Sequence, residues 1–202
     1  MTTLATPPPH VHSRLSIAKD ALLLLADLQG GIADLPLTVP EGQLRRGVAA
    51  LLRLADLFDL PRLITAVPGG DGRVSPLMAE VEAARGDAPV FIRTTPNAMN
   101  DAEIRKAIET SGRRLILVSG VATEVAVQLP SLTLAAEGYE VHVIVDACGG
   151  VSPRTEEAAF RRLAGAGVNT TSLPALIGEL AGDFTEPRGQ QAIGVLFELA
   201  AG

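Results

Sequence analysis

Two kinds of apolar pattern alternate along the chain. Short continuous runs, Ala21-Leu22-Leu23-Leu24-Leu25-Ala26, Leu115-Ile116-Leu117-Val118 and Val141 to Val145, carry no polar alternation. Such runs fit strands buried on both faces of a parallel sheet. Between them, apolar residues recur at helical spacing. Leu44, Val48, Leu51, Leu52, Ala55 and Phe58 share one face of a helix predicted over 41–58, and Pro61 ends it. Arg62 to Val67 reads as the second strand. Leu77 to Ala84 reads as a short helix, and Val90-Phe91-Ile92 as a short strand or an extended piece. Asn100 or Asp101 can cap a helix through Thr110, which Gly112 ends. Pro153, with Glu156 and Glu157 behind it, opens a helix that ends near Gly165, its acidic first turn matching the helix dipole. Val168 to Ser172 is the last strand. Leu173 to Leu180 and Arg188 to Ala200 are the closing helices.

The stretch from Arg113 to Gly150 organises the rest. It reads strand, Ser119-Gly120 turn, helix and strand, which is a βαβ unit. Five strands alternating with helices predict a single α/β domain built on a doubly wound parallel sheet. Open sheets of this kind bind ligands at the carboxyl ends of their strands. Asp27, Arg93 and the Val121 to Ala126 turn all follow strands, so one pocket could hold them.

Composition narrows the function. The chain has 202 residues, 47% of them hydrophobic, enough for one domain with a sizeable core. A net charge of −6 argues against a nucleic-acid binder. No apolar run approaches the ~18 residues of a membrane span. Residues 1–19, with Pro7-Pro8-Pro9 and no apolar core, read as a flexible lead-in to a domain over 20–202 rather than a secretory signal. One cysteine excludes an internal disulfide and suits a reducing cytoplasm.

Candidate chemistry is sparse. A carboxylate closing a central strand makes Asp27 a site candidate, with a turn-capping Asp as the equal alternative. Arg93 is the only cation of its loop, and the plain reading is a solvated surface Arg. His10 and His12 lack a third ligand nearby, and His142 sits in a strand pattern, so no catalytic metal is expected. The Gly-rich loop 68–74 lacks P-loop spacing and its Lys. Cys148, just past a predicted strand end, is either a thiol at the site or, more simply, a small buried apolar residue.

The segment Gly120-Val121-Ala122-Thr123-Glu124-Val125-Ala126-Val127 resembles the isochorismatase-like cysteine hydrolases, in their YcaC-like branch. The resemblance also takes in Asp27-x-Gln29-x-Gly31, Asn97-Ala98, Gln128 to Leu132, Gly138 to Val141 and Asp146-Ala147, and so covers about residues 15–180. It implies a Rossmann-like fold and a triad of Asp, cation and nucleophilic Cys. Asp27 falls on the Asp position, Arg93 on the cation position and Ala126 on the Cys position. The same resemblance implies a cis peptide at Val121-Ala122, oxyanion donors at Ala122 and Ala126, and substrate contacts at Gln29, Asn97 and Thr123. In a Cys-bearing member the helix end would lower the thiol pKa, the amides would hold an oxyanion and the Asp would move the proton.

Ala126 departs from that pattern and closes covalent amide hydrolysis through this position. Three readings follow: a Cys-to-Ala form of an ordinary hydrolase; a hydrolase without a nucleophile, using Asp27 as general acid as true isochorismatases do; or a pseudoenzyme that binds or scaffolds. Each takes a small-molecule ligand, no cofactor, no nucleic acid and no membrane. The resemblance and the apolar run Ala192 to Ala201 imply a homo-oligomer, a dimer or larger up to an octamer.

Overall fold

The computed structural model describes residues 17–35 and 37–201. The expected lead-in therefore lies mostly outside the described residues, His10 and His12 with it. The described chain opens on one turn of helix, α1 (Ile17–Asp20), and enters strand β1 (Ala21–Ala26). There follow α2 (Glu41–Leu57), β2 (Arg62–Ala66), α3 (Ala79–Ala84), β3 (Val90–Ile92), a 3-10 turn (Ala98–Asn100) and α4 (Ala102–Ser111). The second half contains β4 (Leu115–Val121), a π turn (Thr123–Val127), α5 (Gln128–Ala136) and β5 (Glu140–Gly149). It closes with α6 (Pro153–Gly165), β6 (Asn169–Thr171), α7 (Leu173–Ala181) and α8 (Pro187–Ala201).

The strands form one six-stranded sheet in the order β3-β2-β1-β4-β5-β6, every neighbouring pair parallel. The sequence leaves Val90-Phe91-Ile92 open between strand and extended piece; pairing with Ile64–Ala66 makes it a strand and raises the expected five to six. Every residue of β1 is buried. Leu23 and Leu25 join the core under α2, α7 and α8, while Leu22 and Leu24 join the core on the other face, with Ile104 and Ile108 of α4 and Leu163 of α6. Burial on both faces is why β1 reads as an unbroken apolar run.

Local signals set most boundaries. The Asp101 carboxylate accepts from the amides of Glu103 (2.9 Å) and Ile104 (3.3 Å) and starts α4, and Gly112 closes it at φ 67°. Ser152 caps α6 ahead of Pro153, and Ser172 caps α7. Three expectations need correction. The turn expected at Ser119-Gly120 lies inside β4, whose pairing with β1 and β5 carries it to Val121. The helix expected from Leu77 starts at Ala79, because Leu77 is spent on an antiparallel bridge to Gln29. The strand expected to end at Val145 continues to Gly149. Val118 faces Val143 and Gly120 faces Cys148, so two steps along β4 match five along β5. The longer path is a bulge. Ser119 Oγ donates to the Ala147 carbonyl at 2.5 Å, and α2 comes so close at Gly47 that a Cβ there would lie 2.2 Å from Asp146 O.

After β1 the chain turns toward β2 on one side, and after β4 it turns toward β5 on the other. β1 and β4 are adjacent, so their carboxyl ends form the point where the winding reverses, the usual ligand crevice of such sheets.

Candidate active site

Asp27 is the first residue past β1. Its backbone stands in the left-handed region, φ 57°, which Asp tolerates better than most residues, and its amide donates to Thr65 O at 3.0 Å. The residue is 4% exposed. Oδ1 accepts from the Thr65 hydroxyl at 3.0 Å, and Oδ2 is ion-paired with the Arg93 guanidinium. Both oxygens are thus used inside the fold, and the turn-capping alternative for Asp27 does not describe its side chain.

Arg93 stands just past β3, its amide held by Ala66 O at 3.0 Å. It is 3% exposed, so the plain reading of a solvated surface Arg is overturned. One η nitrogen meets Asp27, the other donates to Thr95 O, and the buried Nε has no partner among the described residues. Burial pushes the Asp27 pKa up, against the lowering effects of Arg93 and of the Thr65 hydrogen bond. Burial lowers the Arg93 pKa and Asp27 opposes it; a guanidinium starts so high that it stays charged at neutral pH. Thr65 carries little signal in the sequence. Its one signal is a hydroxyl inside an apolar strand, two residues from the strand's carboxyl end as first read.

The neighbouring strand end carries the turn. Gly120 lies opposite Ala26 so closely that a Cβ would sit 2.2 Å from Ala26 O. Only Gly lets β1 and β4 stay paired up to this point. The Val121-Ala122 peptide is cis, as the resemblance implies. The Ala122 carbonyl then accepts from Val125 N (3.1 Å) and Ala126 N (3.0 Å). This changes one expectation. The Ala126 amide is spent within the turn and is not available to an oxyanion here. In a turn of this kind the leading N–H groups are the ones without a partner inside the turn. Ala126 itself is 2% exposed.

The residues expected to touch substrate have internal partners. Gln29 Nε2 donates to Val67 O at 2.9 Å and Oε1 accepts from Val67 N at 2.8 Å, which clips the β1 loop to the end of β2. Asn97 Oδ1 accepts from Met99 N at 3.0 Å, and Nδ2 donates to Thr133 Oγ1 at 2.9 Å. The Thr123 hydroxyl donates to Glu156 Oε1 at 2.8 Å. Cys148 lies inside β5 rather than past its end and is fully buried. Its thiol is pushed up to about 12, chiefly by burial, with Glu156 and Asp146 adding to the rise against a backbone hydrogen bond from Gly120. A thiol with that pKa is no nucleophile at neutral pH. His142 Nε2 lies 3.1 Å from Glu140 Oε1. Among the described residues no group of three or more His, Cys, Asp or Glu is arranged to hold a metal ion.

The doubly wound parallel sheet is shared with known proteins. The Isochorismatase domain profile matches residues 21–175, and the chain belongs to the isochorismatase family. It is 34% identical over 149 residues to the probable hydrolase YcaC of Escherichia coli, covering 73% of this chain and 71% of that protein. It is 26% identical over 181 residues to isochorismatase domain-containing protein 2 of Rattus norvegicus, covering 89% and 82%. In structure it is similar to YcaC from Pseudomonas aeruginosa, solved with hexane-2,5-diol and covalent acrylamide (TM-score 0.83, 29% identity, 91% and 93% covered). It is also similar to the Escherichia coli YcaC gene product, described as an octameric hydrolase of unknown specificity (TM-score 0.80, 31% identity, 90% and 87% covered).

Proposed function

We propose that this chain is a YcaC-type hydrolase of a small molecule in which Asp27 moves the proton, Arg93 holds it in place, and Ala126 stands where Cys-bearing relatives carry the nucleophile. The observation that supports this most is the Asp27–Arg93 pair, buried at the carboxyl ends of β1 and β3 beside the turn that follows β4. Relatives of this type carry the description hydrolase. A structural salt bridge would serve stability poorly here, since burying both ions costs much of what their attraction returns. Retaining it at the ligand crevice fits a chemical role.

With a methyl group at 126 no acyl–enzyme can form there. The chemistry left to Asp27 is proton transfer, as a base toward water or as an acid toward a leaving oxygen. The acid role is favoured by one observation: burial raises the Asp27 pKa, so a protonated carboxyl is more accessible than for an exposed Asp. That is the route by which a vinyl ether would be cleaved without a nucleophile. Gln29, Asn97 and Thr123 then shape the loops around the site.

The test is a panel of small amides, esters and vinyl ethers assayed with the native chain, Asp27→Asn and Ala126→Cys. The native chain should turn over a vinyl ether, and Asp27→Asn should lose that activity by about a hundredfold or more. Ala126→Cys should add amide or ester turnover. If the native chain and Ala126→Cys are both inactive across the panel, the hydrolase reading gives way to a binding or scaffold protein.

We propose further that the chain forms a homo-oligomer, as the octameric relative does. The expectation that Ala192 to Ala201 supplies the contact surface needs revision. Ala192 and Val195 are buried against the chain's own core, and of that run Phe197, 70% exposed, is the large apolar side chain left outside. Sedimentation showing only monomer across micromolar concentrations would refute the assembly.

A further inference from the structure

The π turn that carries residue 126 has no side-chain cap of its own: its N-cap position is Ala122. Its leading residues are tied instead to the N-terminus of α6. Thr123, fully buried, donates its hydroxyl to Glu156 Oε1 at 2.8 Å. Thr155 donates its hydroxyl to Glu124 Oε1 at 2.6 Å. Each element contributes a Thr-Glu dipeptide, and the two are crossed, hydroxyl to carboxylate in both directions. Glu124 also accepts from Val151 N at 2.9 Å, which draws in the loop between β5 and α6. That loop is anchored behind by a mutual pair between Thr38 and Gly150, both contacts 2.9 Å. Gly150 is needed for the close approach, because a Cβ there would lie 2.6 Å from Glu156 Cβ and 3.0 Å from Glu124 Oε1.

We infer that the crossed Thr123-Glu124 and Thr155-Glu156 pairs form a latch that sets the position of residue 126, with Glu156 as the principal positioning residue. The link is one turn long. Thr123 is fixed by its side chain, its carbonyl accepts from Gln128 N, and Ala126 N is bonded to Ala122 O, so the backbone between them cannot shift independently. The two halves of the latch are unequal. A fully buried hydroxyl must find an acceptor, and a carboxylate is a strong one. The Thr155–Glu124 contact is exposed and contributes less. The Glu156 pair therefore dominates, although by sequence Glu156 serves only the dipole of its own helix.

This inference rests on the reading of the turn as the catalytic one for its consequence, but not for its geometry, and the two are tested separately. Geometry is read by amide hydrogen exchange of the peptide spanning 122–127 in the otherwise native chain. Glu156→Ala should speed exchange of the Val125 and Ala126 amides roughly tenfold. Glu156→Gln, whose amide oxygen still accepts from Thr123, should restore near-native protection. Thr123→Val should match Glu156→Ala, and the double variant should add little, because both remove one contact. Protection in β1 must stay native; if Glu156→Ala disturbs it, Thr123→Val decides. Unchanged exchange in these variants, or a Glu156→Gln variant as open as Glu156→Ala, overturns the latch. Consequence is read by the iodoacetamide alkylation rate of Ala126→Cys, which Glu156→Ala should slow about tenfold and Glu156→Gln should spare. If Ala126→Cys resists alkylation while the exchange result stands, the latch holds and the catalytic reading of residue 126 fails.

Discussion

At the scale of single residues, the Asp27–Arg93 pair decides most. Two oppositely charged side chains, 6% and 3% exposed, depend on one another. Removing one strands the other, which costs about 3–5 kcal/mol, whereas replacing both with apolar groups is near neutral. Arg93→Met should therefore lower unfolding stability by that amount in urea, and adding Asp27→Asn, which removes the stranded charge and tolerates the left-handed backbone, should restore most of it. The pH dependence has a definite sign. Burial already places the folded Asp27 pKa above its unfolded value. Such a group contributes stability below its unfolded pKa and loses it as pH rises through the folded one. Arg93→Met removes a lowering influence, so the folded pKa climbs further. The deficit of Arg93→Met relative to the native chain should thus be larger at pH 7 than near pH 4. An equal deficit at both would contradict a charged, stranded Asp27. Cys148 gives a second expectation at this scale. Fully buried, with its pKa at about 12, it should be inert to iodoacetamide in the folded chain and react only on unfolding. Of these residues the sequence showed Asp27 as a candidate. It did not show Arg93 as buried, because the partner that makes burial tolerable lies 66 residues away.

At the scale of elements, the cap of α4 was legible as one of two neighbouring candidates, whereas the Ser caps of α6 and α7 act over the same short range but come from the structure. Asp101, Ser152 and Ser172 each bond amides two or three residues on, and each helix starts beside its cap. Asp101→Ala should cost about 1 kcal/mol, measured by thermal unfolding, and leave ligand chemistry at the sheet edge unaffected. Gly120→Ala is a different case. The added Cβ would lie 2.2 Å from Ala26 O, so β4 must move off β1 beside Asp27. Overpacking of this kind costs about 1–3 kcal/mol. The displacement should also abolish whatever activity the panel finds, whereas a cap variant of equal stability should not. The end of strand β5 is hidden from the sequence for a related reason. Asp146 and the Gly149-Gly150 pair look like a strand terminus in sequence. The bulge that carries the strand past Asp146 as far as Gly149 exists only through pairing with β4 and contact with α2.

At the scale of the whole molecule, the chain's apolar residues are shared between folding and association, and sequence does not divide them. The run Ala192 to Ala201 looks like a single sticky surface. In the fold Ala192 and Val195 close the core beneath α8, and Phe197 stays exposed. If Phe197 and the exposed Phe184 serve association, Phe197→Glu should shift sedimentation toward smaller species without lowering monomer stability. An unchanged distribution would place the contact elsewhere. By itself the sequence determined the α/β class, the parallel sheet, the strands buried on both faces and the identity of the residues at the sheet's carboxyl edge. Each of these follows from periodicity and short-range chemistry, which are properties of neighbours in the chain. Only the tertiary structure decided that Arg93 is buried against Asp27, that the Ala126 amide is spent within its own turn, that Cys148 is interior, and that Glu156 reaches Thr123. Those outcomes turn on desolvation and hydrogen-bond partners supplied by distant segments, and no spacing along one strand or helix encodes which distant group will arrive.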